Sequence, residues 1–217
     1  MSDLRPWFNA NDMDTFDTIM ERGGKAAIQA ASRFFMKDDP VHQTLEAIAQ
    51  RLAELQVPYC VAGGMALVAH GYDRTTVDID VIVTEQGLAT IHQHLDGRGY
   101  LPFDESNIRD TTTQVRIEFL VSGRFPGDRK SKPVAFPDPA KEGIEIDGIR
   151  YVGLPSLLEL KLASGMSAPH RLKDLADAQE LIRILKLPRE FADRLNPYVR
   201  GKFEELWTTI QQSPQEG

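Results

Sequence analysis

Gly63–Val83 reads GGMALVAHGYDRTTVDIDVIV. A glycine pair opens a short helix-like segment, and Asp78 and Asp80 then stand inside an apolar run. Aspartate disfavours strands, and a charge within a core is costly unless it is paired. If Val77–Thr84 is a strand, its side chains alternate between faces, and Val77, Ile79, Val81 and Val83 fill one of them. Asp78 and Asp80 share the other, roughly 7 Å apart. Two carboxylates so placed repel each other and gain from a cation between them. Mg²⁺ (or Mn²⁺) suits that role, because it takes carboxylate oxygens together with substrate phosphates. Two such ions about 3.5–4 Å apart clamp the attacking and leaving oxygens in phosphoryl or nucleotidyl transfer. An isolated Asp-x-Asp on the open face of an edge strand is the competing explanation.

Three neighbours bear on that choice. Gly63 and Gly64 sit at a strand-to-helix junction, where glycines let the backbone approach a phosphate. The same pair also suits a plain tight turn. In QVRIEFLVS, Val115, Ile117, Phe119 and Val121 alternate with Arg116 and Glu118. Glu118 therefore stands on a polar face, as a third carboxylate or as the partner of a surface arginine. Arg74, Thr75 and Thr76 offer donors beside a phosphate, or are ordinary loop residues.

The wider chain is consistent with a folded, acidic protein. It has 217 residues, 41% hydrophobic and 26% charged, with a formal net charge of -7. That balance argues against broad coating of nucleic acid, while leaving room for a local basic patch or a metal-neutralised phosphate site. A single cysteine, Cys60, rules out an internal disulfide framework and a cysteine-rich zinc site, and it reads as core. MSDLRPWFNANDMD lacks an apolar signal core, and no apolar run reaches membrane-spanning length, so a cytoplasmic protein without membrane contact is expected. His92 and His94 diverge on a helix, and His42, His70 and His170 read as surface or capping residues. Arg124, Arg129, Lys130 and Lys132 read as a solvated basic loop.

Hydrophobic periodicity predicts an α+β fold: an antiparallel or mixed β-sheet flanked by helices, followed by a C-terminal helical subdomain. Residues 1–40 form an N-terminal extension with a helix near 25–36, 41–153 the core, and 154–217 the helical part. Expected helices cover 41–55, 65–70, 87–95, 155–164, 170–187 and 197–210. Expected strands cover 59–62, 77–84, 100–103, 108–112, 115–121, 144–146 and 150–152, the last two joined by an Asp147-Gly148 turn. In the helix from His170, Leu175, Ala178, Ile182 and Leu185 form the core stripe, while Arg171, Asp174 and Asp177 share another face with an available Lys173–Asp177 pair. Lys161, in the apolar LLELKLA, must snorkel or meet an anion, for which a triphosphate is one choice.

Gly63-Gly64, thirteen residues, then Asp78-Ile79-Asp80 in an apolar strand resembles the pattern of the DNA polymerase β-like nucleotidyltransferases. Within that superfamily it looks most like the small bacterial members that include the abortive-infection (AbiEii-type) toxins. In KLASGMSAPHRLKDLADAQEL, Lys161, Arg171, Asp174 and Asp177 match a lysine-arginine-aspartate-aspartate motif of those proteins. The resemblance spans residues 45–187; Glu118 stands where an aspartate is common, and residues 1–40 match nothing in it. It implies a nucleotidyltransferase fold and a Mg²⁺-dependent enzyme that takes a nucleoside triphosphate and an acceptor (RNA, protein or small molecule). Asp78, Asp80 and Glu118 would hold metal, with Glu118 as a ligand or as base for the acceptor hydroxyl. Gly63, Gly64, Arg74, Thr76, Lys161, Arg171, Asp174 and Asp177 would serve the nucleotide. An antitoxin-like partner is implied with it. The alternatives are a nucleotide-binding regulator without turnover and a metal-dependent glycosyltransferase; in the latter, Asp-x-Asp ordinarily ends its strand.

Overall fold

The computed structural model describes residues 15–212. Two helices, α1 (Phe16–Arg22) and α2 (Gly24–Phe35), lead into α3 (Pro40–Glu54). Asp39 caps α3, accepting from the backbone N–H of Val41 at 2.7 Å and of His42 at 3.3 Å, and Pro40 suits the first helical position, where no amide donor is needed. His42 is not at the surface. Its ring is buried, bonded to Asp39 and set edge-on to Phe34, because the cap draws the first turn of α3 into the core. Residues 1–14, part of the expected extension, lie outside the described residues.

The sheet is built from β1 (Tyr59–Val61), β2 (Asp78–Val83), β3 (Tyr100–Pro102), β4 (Asn107–Asp110), β5 (Arg116–Val121), β6 (Ile144–Ile146) and β7 (Ile149–Tyr151). Its order is β3-β4-β5-β2-β1-β7-β6, mixed in direction, with β2 in the middle. β2 runs parallel to β5 and antiparallel to β1, and a parallel β1–β7 pair adds the second edge. An edge-strand explanation for Asp78 and Asp80 is thereby excluded. α4 (Gly63–Ala69) links β1 towards β2, and α5 (Glu85–Leu95) follows β2, capped by Thr84, whose hydroxyl accepts from Gly87 N–H at 3.0 Å. Asp147 and Gly148 both take positive φ, as the two-residue β6–β7 hairpin requires.

Ile79, Val81 and Val83 are fully buried on one face of β2, with Ile117, Phe119 and Val121 beside them on β5. Val77 differs from expectation: pairing with β5 begins at Asp78, so Val77 precedes the strand and stays 36% exposed. On the other face, Ile82 and Cys60 are buried side by side, and Pro139, Glu142 and Gly143 lie against Cys60. Cys60 Sγ donates to Glu142 O at 2.9 Å, and burial pushes its thiol up to about 11.

The chain then turns helical, as expected, through α6 (Leu154–Ser167), α7 (Leu172–Ile184) and α8 (Pro197–Gln212). Two 3-10 turns, Pro169–Arg171 and Arg189–Arg194, were not anticipated, nor was α1. Phe191, within the second turn, stacks on Phe203 of α8 with ring centroids 5.9 Å apart. In α7 the buried stripe is Ala178, Leu181 and Ile182, with Leu175 and Leu185 at its margin. One hydrophobic cluster runs from Phe34 to Leu206, so sheet and helices share a core. No helix among the described residues is long and apolar enough to cross a membrane.

Candidate active site

Parallel register places Asp78 beside Arg116 and Asp80 beside Glu118, on the face of β2 and β5 opposite Ile79 and Ile117. The three carboxylates foreseen from alternation therefore share one face of two central strands. Their surroundings differ. Asp78 accepts from Arg116 Nη2 at 3.1 Å and from the Thr76 hydroxyl at 3.0 Å, so both its oxygens have donors. Asp80 is crowded on most sides while keeping some solvent contact. Burial, then the charges of Asp78 and Glu118, push its carboxyl up to about 7; Lys161 and Arg116 pull the other way.

The glycine pair has a shown steric role. A Cβ on Gly63 would stand 1.6 Å from Asp80 Oδ2, and one on Gly64 2.5 Å from Thr76 Oγ1. Gly63 also has φ +55°, in the left-handed region that favours glycine. Ala62 N–H donates to the Asp80 carbonyl at 2.8 Å, holding the start of α4 against β2. Any other residue at 63 must displace the carboxylate.

Lys161, Arg171, Asp174 and Asp177 do come together, but chiefly with one another. Lys161 Nζ donates to Asp174 Oδ1 at 2.9 Å and to Asp177 Oδ2 at 2.8 Å. Asp177, 4% exposed in its side chain, takes Arg74 Nη1 at 2.7 Å on its second oxygen. Asp174 also accepts from the Ser164 hydroxyl at 2.7 Å and faces Arg171 at 3.6 Å. Although burial opposes its charge, the two aspartates hold the Lys161 pKa up; Asp174 is held low by Lys161 and Ser164 against the same burial. The anion met by Lys161 is thus the chain's own carboxylate pair. Asp177 turns inward to Arg74 and Lys161, so the Lys173–Asp177 pair does not form, because α7 packs that edge against α6.

The network closes one wall of the site. Arg171 reaches the Gly127 carbonyl at 3.3 Å, and Asp128 N–H bonds Ser167 Oγ at 3.2 Å, tying the 122–143 loop to α6 and α7. Lys132 belongs to that loop's own fabric rather than to a solvated run: its side chain is 6% exposed and reaches Asp128 at 2.6 Å. Arg129 and Lys130 are exposed, and Arg124 pairs with Glu85.

The donor set suits a hard divalent cation in kind: three carboxylates on one face, with Asp80 destabilised as an anion by burial and then by the other two. They do not converge as they stand. No set of three His, Cys, Asp or Glu side chains among the described residues is close enough to hold an ion, and Asp78 is bonded to Arg116. Alternation sets Arg116 on the polar face without assigning it a role, and nothing local in the sequence singles out Ser164, Arg109 or Asn107. Alternation in QVRIEF already puts Arg116 two residues from Glu118, so the first of these was readable; the contacts of Ser164 are tertiary.

No protein-family model and no curated protein sequence matches the chain. Among solved structures it is similar to the antibiotic-resistance factor ANT(2'')-Ia in solution, at 13% identity and TM-score 0.49 over 77% of this chain and 94% of that one. The crystal structure of ANT(2'')-Ia with adenylyl-2''-tobramycin gives 12% identity and TM-score 0.47, covering 78% and 95%. A Thermotoga maritima protein assigned as a nucleotidyltransferase gives 18% and 0.40, covering 66% and 91%. Likenesses this distant concern the course of the chain and say nothing of what it binds.

Proposed function

We propose that this chain is a metal-dependent nucleotidyltransferase, moving a nucleoside monophosphate from a nucleoside triphosphate to an acceptor hydroxyl with release of pyrophosphate. The observation that carries the reading is Asp78 and Asp80 on the central strand, in register with Glu118, with Asp80 pushed up to about 7 by burial and then by its two carboxylate neighbours. Like charges on one face of two adjacent strands are poor for stability and useful for chemistry.

Asp78, Asp80 and Glu118 would hold Mg²⁺ or Mn²⁺. When bound, the ion supplies Lewis-acid polarisation of the phosphoryl oxygens and neutralises their charge. Glu118, on the β4 side of Asp80, completes that ligand set, the acceptor proton then passing to water, or itself takes the proton of the acceptor hydroxyl. The acceptor oxygen then bonds to the α-phosphorus, the bond from that phosphorus to the α–β bridging oxygen breaks, and pyrophosphate leaves with the electron pair. Gly63 and Gly64 let α4 start against Asp80 and Thr76, and the backbone N–H groups of that turn would meet the triphosphate beside β2. Lys161, Arg74, Asp174 and Asp177 act from behind, fixing α6, α7 and the loop before β2 around that space. Arg171, with 42% of its side chain exposed, is the member of the motif left to meet phosphate. The resemblance to abortive-infection toxins, and any antitoxin-like partner, rests on the two sequence motifs alone.

A nucleotide-binding regulator without turnover is favoured by one observation, the Arg116 guanidinium on Asp78. Incubating the protein with Mg²⁺, each α-labelled nucleoside triphosphate and cell extract separates the two. The transferase reading expects label on one class of acceptor, lost in Asp80→Asn. Nucleotide-dependent stabilisation with no label transferred and no pyrophosphate released supports the regulator.

A further inference from the structure

Next to the carboxylates, the same face carries the opposite charge. Antiparallel register sets Arg109 of β4 directly against Arg116 of β5. Like charges directly opposite on neighbouring strands destabilise a sheet. Asp78 answers only one of them, through Arg116. Among the described residues Arg109 makes no ion pair; its Nε is buried without a hydrogen-bond partner, and its guanidinium lies over the Phe103 ring at 5.3 Å. Stacking fixes the guanidinium plane, and a fixed fork suits a planar or tetrahedral oxyanion.

A cavity of about 250 Å³ opens at this point, lined by Arg109, Arg116, Gln114, Asp78, Val77 and, from α1, Glu21. At about 30 Å³ per water it has room for a phosphoryl group and several waters. We propose that this cavity is a subsite for a phosphate-class oxyanion of the acceptor, held between Arg109 and Arg116. Its assignment to the acceptor rests on the transferase reading. Gly63-Gly64 and the triphosphate lie on the β1 side of β2, whereas Arg109 lies two strands away on the other side. Glu118 stands between, in register with both Asp80 and Asn107. An acceptor seated at Arg109 would present a hydroxyl to Glu118. Asn107 Oδ1, buried without a partner beside Glu118, is a second acceptor for that hydroxyl's neighbour.

The test is a titration of inorganic phosphate into the full-length protein in EDTA, followed by ³¹P NMR or calorimetry, beside a separate titration of ATP with Mg²⁺. Wild type should bind phosphate saturably. Arg109→Gln should weaken it about tenfold, the share of one charge-assisted contact, and leave ATP affinity unchanged. Glu21→Gln, an exposed change at the rim, should tighten phosphate about twofold by removing one carboxylate. Arg109→Lys, which keeps charge and loses the fork, guards against misfolding of the glutamine variant and should fall between the two. Phosphate binding indifferent to Arg109 overturns the subsite. ATP affinity falling in step with phosphate overturns its assignment to the acceptor. Absence of nucleotide transfer, by contrast, removes the transferase reading and leaves the phosphate result standing.

Discussion

Asp80→Asn should stabilise the metal-free protein, and the gain should depend on pH. A carboxyl whose folded pKa lies above its unfolded value binds its proton more tightly when folded. Its contribution is therefore greatest at low pH and is lost as pH rises from 3.8 through about 7, beyond which the deficit is constant. At 1.36 kcal/mol per pH unit the full deficit is about 4 kcal/mol. Asp80 keeps some solvent contact, so about half, ~2 kcal/mol, is expected to appear. In a chain of this size that is a melting-temperature rise of about 4–8 °C at pH 8, vanishing near pH 4. Urea unfolding in EDTA, wild type against variant at four pH values, measures it directly. Asp78→Asn is the control: it loses the pair with Arg116, about 1 kcal/mol or less for a pair this exposed, while relieving Asp80 of one neighbouring charge, so its net gain at pH 8 should be well below that of Asp80→Asn. A fall in stability for Asp80→Asn, or a gain that is equal at pH 4 and pH 8, would refute the claim that Asp80 is a strained anion waiting for a cation.

Lys161→Met should be strongly destabilising, by about 3–5 kcal/mol in chemical denaturation, because it leaves Asp174 and Asp177 buried without their shared cation; a variant within 1 kcal/mol of wild type would show that the lysine is dispensable to the fold. Gly63→Ala forces a Cβ onto Asp80 at a positive φ, so it should lose metal-dependent nucleotide binding while circular dichroism stays folded, and unchanged binding in calorimetry would show that Asp80 can move aside at no cost. Cys60, buried with its thiol pushed up to about 11, should react with a thiol reagent only on unfolding, and rapid labelling of the native protein at pH 8 would contradict its packing under residues 138–143.

Much of the fold was legible because its signals are local. Apolar residues at three- and four-residue steps placed α3 and α5 to within two residues, and Asp147-Gly148 placed the β6–β7 hairpin. Period-two alternation put Asp78, Asp80 and Glu118 on polar faces, and the parallel β2–β5 register then made those faces one. The register itself is a tertiary fact that alternation cannot supply. The same limit explains Lys161: a lysine in an apolar helix announces an anion, but only the packing of α7 on α6 shows that Asp174 and Asp177 are that anion. Asp177 faces inward for this reason, although spacing within α7 equally allowed a pair with Lys173. Gly63-Gly64 reads in sequence as a phosphate approach, while its steric necessity comes from Asp80, seventeen residues later, leaning over it. The burial of His42 is signalled in the sequence only by Asp39 three residues earlier, whose carboxylate caps the helix and bonds the ring.

Metal binding at the carboxylate cluster tests the account most directly. Mn²⁺ titrated into the protein with a non-hydrolysable nucleoside triphosphate, followed by the loss of free-ion signal in electron paramagnetic resonance, should show saturable binding to wild type. Binding should fall at least about tenfold in Asp80→Asn and in Glu118→Gln, since each removes an anionic ligand. Equal Mn²⁺ binding by wild type and both variants would contradict the assignment of Asp78, Asp80 and Glu118 as the metal-nucleotide site.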